Sequence, residues 1–195
     1  MKQMTDSKKE KRTDGVYREI FSMMFYLIFV VAATLLIIRF VGQRTEVSGH
    51  SMEDTLDDGD NLIVDKLTYR FRDPVRYDII VFPYKYKEDT YYIKRIIGLP
   101  GETVQILDGS VYINGEKLEE HYGNEVMEEA GIAAEPVTLG VDEYFVLGDN
   151  RNNSKDSRSV DVGVVHGKDF VGRAWIRIWP FEKIGWIRHE LTGQE

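Results

Sequence analysis

Residues 20–38 form a run of 19 positions without a charged side chain, dense in Phe, Met, Leu, Ile and Val. Nothing else in the chain limits its fold as strongly. At a rise of ~1.5 Å per residue, a helix of this length crosses a hydrocarbon layer of ~30 Å, with a short extension through Phe40 and Val41. A buried helix of a soluble protein is the alternative, but the run is long for the core of a chain of 195 residues. A cleavable leader is another. Its apolar region would span only ~7–15 residues and end in small side chains, whereas this one ends in Ile37-Ile38-Arg39-Phe40. An uncleaved anchor over residues 20–41 fits better.

Charge divides at the same place. Residues 1–44 carry 8 Lys and Arg against 4 Asp and Glu, whereas residues 45–195 carry 17 against 29. Lys2, Lys8, Lys9, Lys11, Arg12 and Arg18 precede the apolar run, and only Arg39 and Arg44 follow it closely. The positive-inside rule then predicts a cytoplasmic basic tail over residues 1–19 and an extracytoplasmic domain over residues 44–195. The acidity of that domain argues against nucleic acid as a partner. Cysteine is absent, which excludes disulfides and thiolate metal sites. The histidines at 50, 121, 166 and 189 form no pair at ligand spacing, so neither a metal nor another cofactor is expected.

Beyond the anchor the pattern changes to short apolar runs rich in Val, Ile, Tyr and Phe: residues 61–64, 78–82, 91–97, 103–106, 110–113, 144–147 and 170–178. Gly and Pro punctuate them, and Asp108-Gly109 and Asn114-Gly115 read as hairpin turns. The expectation is a mainly β domain, an antiparallel β-barrel or folded sheet behind one transmembrane helix. Residues 115–141 hold the least regular stretch, acidic and broken by Gly131 and Pro136, which reads as a small surface insertion.

Three stretches of the domain carry chemistry. Ser51 follows Gly49 in a tight turn, where the backbone can approach a substrate closely. Glu53 stands where the Gly-x-Ser-x-Gly elbow requires its second glycine, so that motif is absent. Lys94 lies in a strand-like run, sharing a face with Tyr92 and Ile96, while Ile93, Arg95 and Ile97 take the other. A lysine so placed either snorkels to water or is desolvated until its amine is neutral at ordinary pH, and a neutral amine can take the proton of a serine hydroxyl. His50 adjoins Ser51, but neighbours on an extended chain point to opposite faces, which makes it a poor base for that serine. The third stretch, Gly148-Asp149-Asn150-Arg151-Asn152-Asn153-Ser154-Lys155-Asp156-Ser157-Arg158, is dense in hydroxyl, carboxylate and guanidinium groups; it is either a solvated loop or the support of a site. Together these stretches suggest a membrane-tethered hydrolase with a serine–lysine pair.

In this order, and behind an amino-terminal anchor, the stretches closely resemble those of the bacterial type I signal peptidases of the shorter Gram-positive kind. Ser51-Met52-Glu53-Asp54-Thr55-Leu56 resembles the family's Ser-Met-x-Pro-Thr-Leu. Tyr77-Asp78-Ile79-Ile80-Val81-Phe82 is similar to the strand before the lysine, and Lys94-Arg95-Ile96-Ile97-Gly98-Leu99-Pro100-Gly101 to the lysine motif. Gly148-Asp149-Asn150-Arg151 with Ser154 and Asp156-Ser157-Arg158 matches the last motif. The resemblance implies Ser51 as nucleophile, Lys94 as general base and Ser154 as a hydrogen-bond partner that orients the amine. It implies Asp156 and Arg158 as a supporting ion pair with Arg95 nearby, and Gly49 and Met52 at the substrate. Partners would be secretory preproteins, cut after small residues in an Ala-x-Ala-like site, and the lipid bilayer.

Two positions depart from the pattern. Asp54 replaces a usual proline, and Gly49 stands where some relatives carry a serine that donates to the oxyanion. Trp175, Trp179, Phe181 and Trp186 gather near the carboxyl end, open to either a bilayer interface or a core. Two other readings compete. A self-cleaving repressor would share the serine–lysine pair but needs a DNA-binding domain where this chain has an anchor. A non-enzymatic, single-pass extracytoplasmic binding module with degenerate peptidase motifs would not need the intact set Ser51, Lys94, Ser154 and Asp156.

Overall fold

The computed structural model describes residues 2–40, 42–123 and 125–189. Residues 1, 41 and 190–195, at the edges of the expected tail, anchor and domain, lie outside the described residues. The chain divides into two units, residues 1–41 and residues 42–195.

The first unit is one helix, α1 (Lys2–Phe40), so helical structure covers the basic tail as well as the apolar run. Within it, Tyr17–Leu36 is apolar enough and long enough to cross a membrane, and this window is unburied by the chain itself. A helix whose apolar side chains are exposed all round is matched by lipid rather than by a protein core. A single-pass membrane anchor is compatible with it.

The second unit is mainly antiparallel β. Its larger sheet contains β1 (Gly42–Glu46), β2 (Asn61–Asp65), β3 (Ile79–Pro83), β4 (Tyr91–Gly98), β9 (Glu143–Leu147), β10 (Val165–His166), β11 (Gly172–Trp179) and β12 (Gly185–Trp186). The hydrogen-bonded order is β1-β2-β11-β3-β4-β9-β10, with β12 added to β11. A smaller sheet is ordered β7-β6-β5-β8, from β5 (Thr103–Leu107), β6 (Ser110–Ile113), β7 (Glu116–Lys117) and β8 (Val137–Thr138). The pairings run from β1 to β10 without returning, so the sheet is folded and not a closed barrel.

The seven apolar runs expected as strands are all strands here. β1 and the two-residue strands β7, β8, β10 and β12 fall outside these runs: Gly42-Gln43-Arg44-Thr45-Glu46 has no apolar alternation, and two residues are too few to show one. Both predicted hairpin turns form. Asp108 and Gly109 join β5 to β6, and Asn114 and Gly115 join β6 to β7, each pair at positive φ as a type I′ turn demands.

Three apolar clusters form the core. On one face of β3 and β4, Ile79, Val81 and Ile93 pack with Met52, Leu56, Leu62, Val64 and Ile187. On the other, Ile80, Phe82 and Ile96 pack with Tyr144 and Val146. The smaller sheet closes over the third, in which Val104, Ile106, Val111 and Ile113 meet Ile97, Phe145 and Leu147. Residues 115–141 are more than a surface appendage: Tyr122, Met127, Ala133 and Leu139 are buried, the last three in this third cluster.

Candidate active site

β4 is buried along most of its length, and its alternation decides the site. In the register with β3, Lys94 faces Ile80 and Arg95 faces Ile79. The two cations therefore leave the same strand on opposite faces. Lys94 is 4% exposed and Arg95 fully buried; each needs a different answer to its charge.

Lys94 Nζ donates to Ser51 Oγ at 2.7 Å and to the carbonyl oxygen of Ile93 at 2.9 Å. The Tyr92 ring centroid lies 5.2 Å from the amine. Burial pushes the Lys94 amine down to about 8, against the pull of the Asp156 and Asp149 charges, which favour the ammonium. Holding the charged form in this site therefore costs about 3 kcal/mol relative to water. Snorkelling is excluded by the geometry, since the amine is buried and spends two hydrogen bonds inside the wall.

Ser51 lies in a turn closed by Glu53 N–H donating to His50 O and by Thr55 and Leu56 N–H donating to Met52 O. Gly49, at φ +93°, enters this turn, and its N–H is held by Asp58 Oδ1 at 2.7 Å. Asp54 has φ +76°. A proline ring fixes φ near −65°, so this turn is one that the usual proline could not enter. An aspartate tolerates the left-handed region better than most side chains.

The polar loop after β9 braces the turn. Asn150 N–H donates to Ser51 O at 3.1 Å, Thr55 Oγ1 donates to Asp149 Oδ2 at 2.6 Å, and Asn150 Nδ2 donates to Glu53 Oε2 at 3.1 Å. Gly148 is required where the two segments meet, because a Cβ there would overlap both Ser154 Oγ and the Ser51 carbonyl oxygen. Asp156 and Arg158 form a two-pronged ion pair with both contacts at 2.9 Å, and Asp156 Oδ2 also accepts from Gly148 N–H.

Arg95 is held elsewhere. Its Nε and Nη2 donate to Asp149 at 2.8 and 2.6 Å, its Nη1 to the carbonyls of Tyr77 and His189, and its guanidinium lies 3.6 Å from the Tyr122 ring centroid. Its carboxylate partner is Asp149, which follows Gly148, whose N–H donates to Asp156. Ser154 lies against Gly148 with its hydroxyl buried and no hydrogen-bond partner among the described residues; the amine is held by Ser51 and Ile93 instead. His50 is exposed, its Nδ1 2.5 Å from Glu53 Oε1 and turned to that carboxylate.

Ser51 and Lys94 open onto a cleft of about 540 Å³. Residues 45–52 form one wall and residues 90–94 the other. Met52 is nearly all buried in the first cluster and also lines the cleft, as Gly49 does. The side of residues 91–94 away from β3 is left without a strand, because pairing with β9 starts at Arg95. Among the described residues no group of acidic, His or Cys side chains is arranged to hold a metal.

Several supports of this site escaped sequence reasoning. Asp149 lies within a recognised motif, yet only the fold shows which cation it faces. Glu120, in the irregular stretch, grips buried Arg151 with both carboxylate oxygens at 2.6 and 2.7 Å. His189 carried no signal at all.

The family model described as signal peptidase, peptidase S26, matches residues 19–179. A probable signal peptidase I-2 of Synechocystis is 39% identical over 196 residues, which cover 97% of this chain and 86% of the relative. Signal peptidase I of Bacillus licheniformis is 36% identical over 182 residues, 90% of this chain and 97% of the relative. A crystal structure of a signal peptidase I from Enterococcus faecalis, 38% identical, covers 52% of this chain and 97% of that one with a TM-score of 0.45.

Two outcomes follow from the geometry. Lys94 is charged below about pH 8 and neutral above it, so cleavage that needs the free amine is slow at pH 6 and climbs through pH 8, as a pH–rate profile would record; a flat profile between pH 6 and 9 contradicts this. Asp54→Pro forces φ out of the left-handed region and lowers stability by at least ~1 kcal/mol, while Asp54→Gly is tolerated. Thermal unfolding of the two variants checks it.

Proposed function

The chain belongs to the signal peptidase family, peptidase S26, and is a serine peptidase; on that premise we propose that it removes amino-terminal signal peptides from secretory preproteins with Ser51 as nucleophile and Lys94 as general base. The observation that carries this reading is the 2.7 Å hydrogen bond between a buried, depressed lysine amine and a serine hydroxyl at the wall of an open cleft.

In this reading the neutral Lys94 amine takes the Ser51 proton as Oγ attacks the scissile carbonyl. Asp149 and Asp156 favour the ammonium that forms. The oxyanion is met by backbone donors: Ser51 N–H makes no hydrogen bond within the described residues and is available. Gly49 contributes no side-chain donor, so more of this stabilisation falls to the backbone. Lys94 returns its proton to the leaving amine, and a water that it then activates hydrolyses the acyl-enzyme. Asp156, Arg158 and Arg95 support the pair, while Ser154, with no hydrogen-bond partner among the described residues, packs against Gly148.

The substrate lies extended along the open edge of residues 91–94, where main-chain hydrogen bonds supply affinity and alternate side chains meet the walls. Small residues before the cut suit shallow pockets edged by Met52. The helix Tyr17–Leu36 serves as the anchor, with the basic amino end in the cytoplasm and the β domain on the far side. Trp179, Phe181, Ile184 and Trp186 are exposed, the last 69% so, and sit in the bilayer interface, where indole rings are favoured.

Wild type in detergent cleaves a preprotein bearing an Ala-x-Ala site, and Ser51→Ala and Lys94→Ala each lose at least ~10³-fold in rate while His50→Ala keeps it. Equal cleavage by all variants rejects the serine–lysine pair, and an inactive wild type favours a binding module. In liposomes, brominated lipid quenches tryptophan fluorescence of the wild type, and Trp179→Phe with Trp186→Phe removes most of that quenching. An unquenched wild type would place these side chains away from lipid.

A further inference from the structure

We propose that His189 is a positioning residue for the Ser51–Lys94 pair, acting through Arg95; the proposal rests on the serine–lysine reading above. The last described residues are fastened along a definite path. Trp186 of β12 pairs with Ile176 of β11, and Ile187 N–H donates to Trp175 O at 3.0 Å. Ile187 packs in the same cluster as Met52 and Leu56 of the turn that carries Ser51. His189 then enters the interior. Its Nδ1 accepts the N–H of Ile79, the first residue of β3, at 2.9 Å. Its carbonyl oxygen accepts from Arg95 Nη1 at 2.8 Å and from Tyr122 Oη at 2.6 Å.

The imidazole is the anchor and the carbonyl is the working part. Burial, reinforced by the Arg173 and Arg95 cations and opposed by Asp78 and a backbone hydrogen bond to Ala174, holds the His189 ring down to about 4. The ring is thus neutral in ordinary buffers, its Nδ1 lone pair stays free to receive Ile79, and its proton sits on Nε2. That Nε2 is buried, and the ring's other hydrogen-bonding contact is with the backbone of Ala174. A leucine would fill the space but could not accept the Ile79 N–H, so filling space alone is a poor explanation for a histidine here.

From the His189 carbonyl a continuous set of bonds leads to the reacting atoms. Arg95 receives it on Nη1 and spends Nε and Nη2 on Asp149. Asp149 in turn holds Thr55 Oγ1, and the adjoining Asn150 N–H holds Ser51 O. Arg95 is also the chain neighbour of Lys94. Withdrawing the His189 carbonyl leaves a buried Nη1 with only Tyr77 O and lets the guanidinium pivot, which shifts Asp149 and the Ser51 turn relative to the Lys94 amine. A shift of an ångström at the reacting atoms is enough to slow chemistry strongly without weakening substrate binding.

The test is kcat and KM of the full chain in detergent on one preprotein, with Ser51→Ala as control. His189→Leu keeps the bulk and loses the acceptor; it lowers kcat on the order of tenfold or more with KM within about twofold. His189→Asn places an oxygen where Nδ1 was, accepts the Ile79 N–H again, and returns kcat to within about threefold of wild type. A wild-type kcat in His189→Leu, a loss that falls in KM, or an asparagine variant no better than leucine overturns the proposal. Should His189→Leu not fold, the asparagine variant decides alone, a kcat within threefold supporting the proposal and a larger loss rejecting it. Retained cleavage by Ser51→Ala would instead reject the serine–lysine reading; an inactive Ser51→Ala beside an unimpaired His189→Leu rejects only the role of His189.

Discussion

Two cations buried in succession on one strand, Lys94 and Arg95, set the terms for the rest of the domain. Alternation sends them to opposite faces, Arg95 fully buried and Lys94 nearly so at the wall of the cleft. An unpaired buried charge is too costly to keep. Arg95 cannot shed its proton, so the fold surrounds it with Asp149, two main-chain carbonyls and an aromatic face. Among the described residues Lys94 is met by a hydroxyl, a carbonyl oxygen and the Tyr92 ring, with carboxylates held at a distance by other cations. One cation is stabilised as a charge and the other is moved toward neutrality.

The acidic members of the polar loop divide their work along the same lines. Asp149 is committed to Arg95 and Thr55, and Asp156 to Arg158 and the N–H of Gly148. Neither carboxylate is in hydrogen-bond contact with the amine. Each therefore acts on Lys94 only through its field, strong enough to hold the amine near 8 and too weak to restore its ordinary value. A direct carboxylate contact would have fixed the ammonium and removed the base. Gly148 allows this arrangement, because its missing Cβ lets the loop and the Ser51 turn touch.

Much of the fold was legible in local pattern. Residues 79–82 read as a strand because an unbroken apolar run of that length is covered on both faces, and residues 91–97 because Tyr and Ile flank Lys94 and Arg95 at strand-like density. The Asp108-Gly109 and Asn114-Gly115 turns read from residue type, since few other pairs accept two positive φ values. The strand face shared by Tyr92, Lys94 and Ile96 followed from alternation alone. β1 was not legible, because Gly42-Gln43-Arg44-Thr45-Glu46 carries no apolar alternation and is held to the sheet by its pairing with β2. The buried parts of residues 115–141 were hidden by their spacing: Tyr122, Met127, Ala133 and Leu139 follow neither strand nor helix period and are brought together by irregular backbone.

By itself the sequence determined what depends on neighbours along the chain: the apolar helix, the strands and their faces, the turns, and the residue types able to supply a nucleophile and a base. The tertiary structure alone decided what depends on contacts across it. That Lys94 reaches Ser51, 43 positions away, that Arg95 is matched by Asp149 and not Asp156, and that His189 closes on Arg95 from 94 positions away are consequences of strand order and loop packing. The pKa of Lys94 belongs to the same class. Desolvation is a property of the whole surroundings of an atom, and no stretch of sequence contains those surroundings.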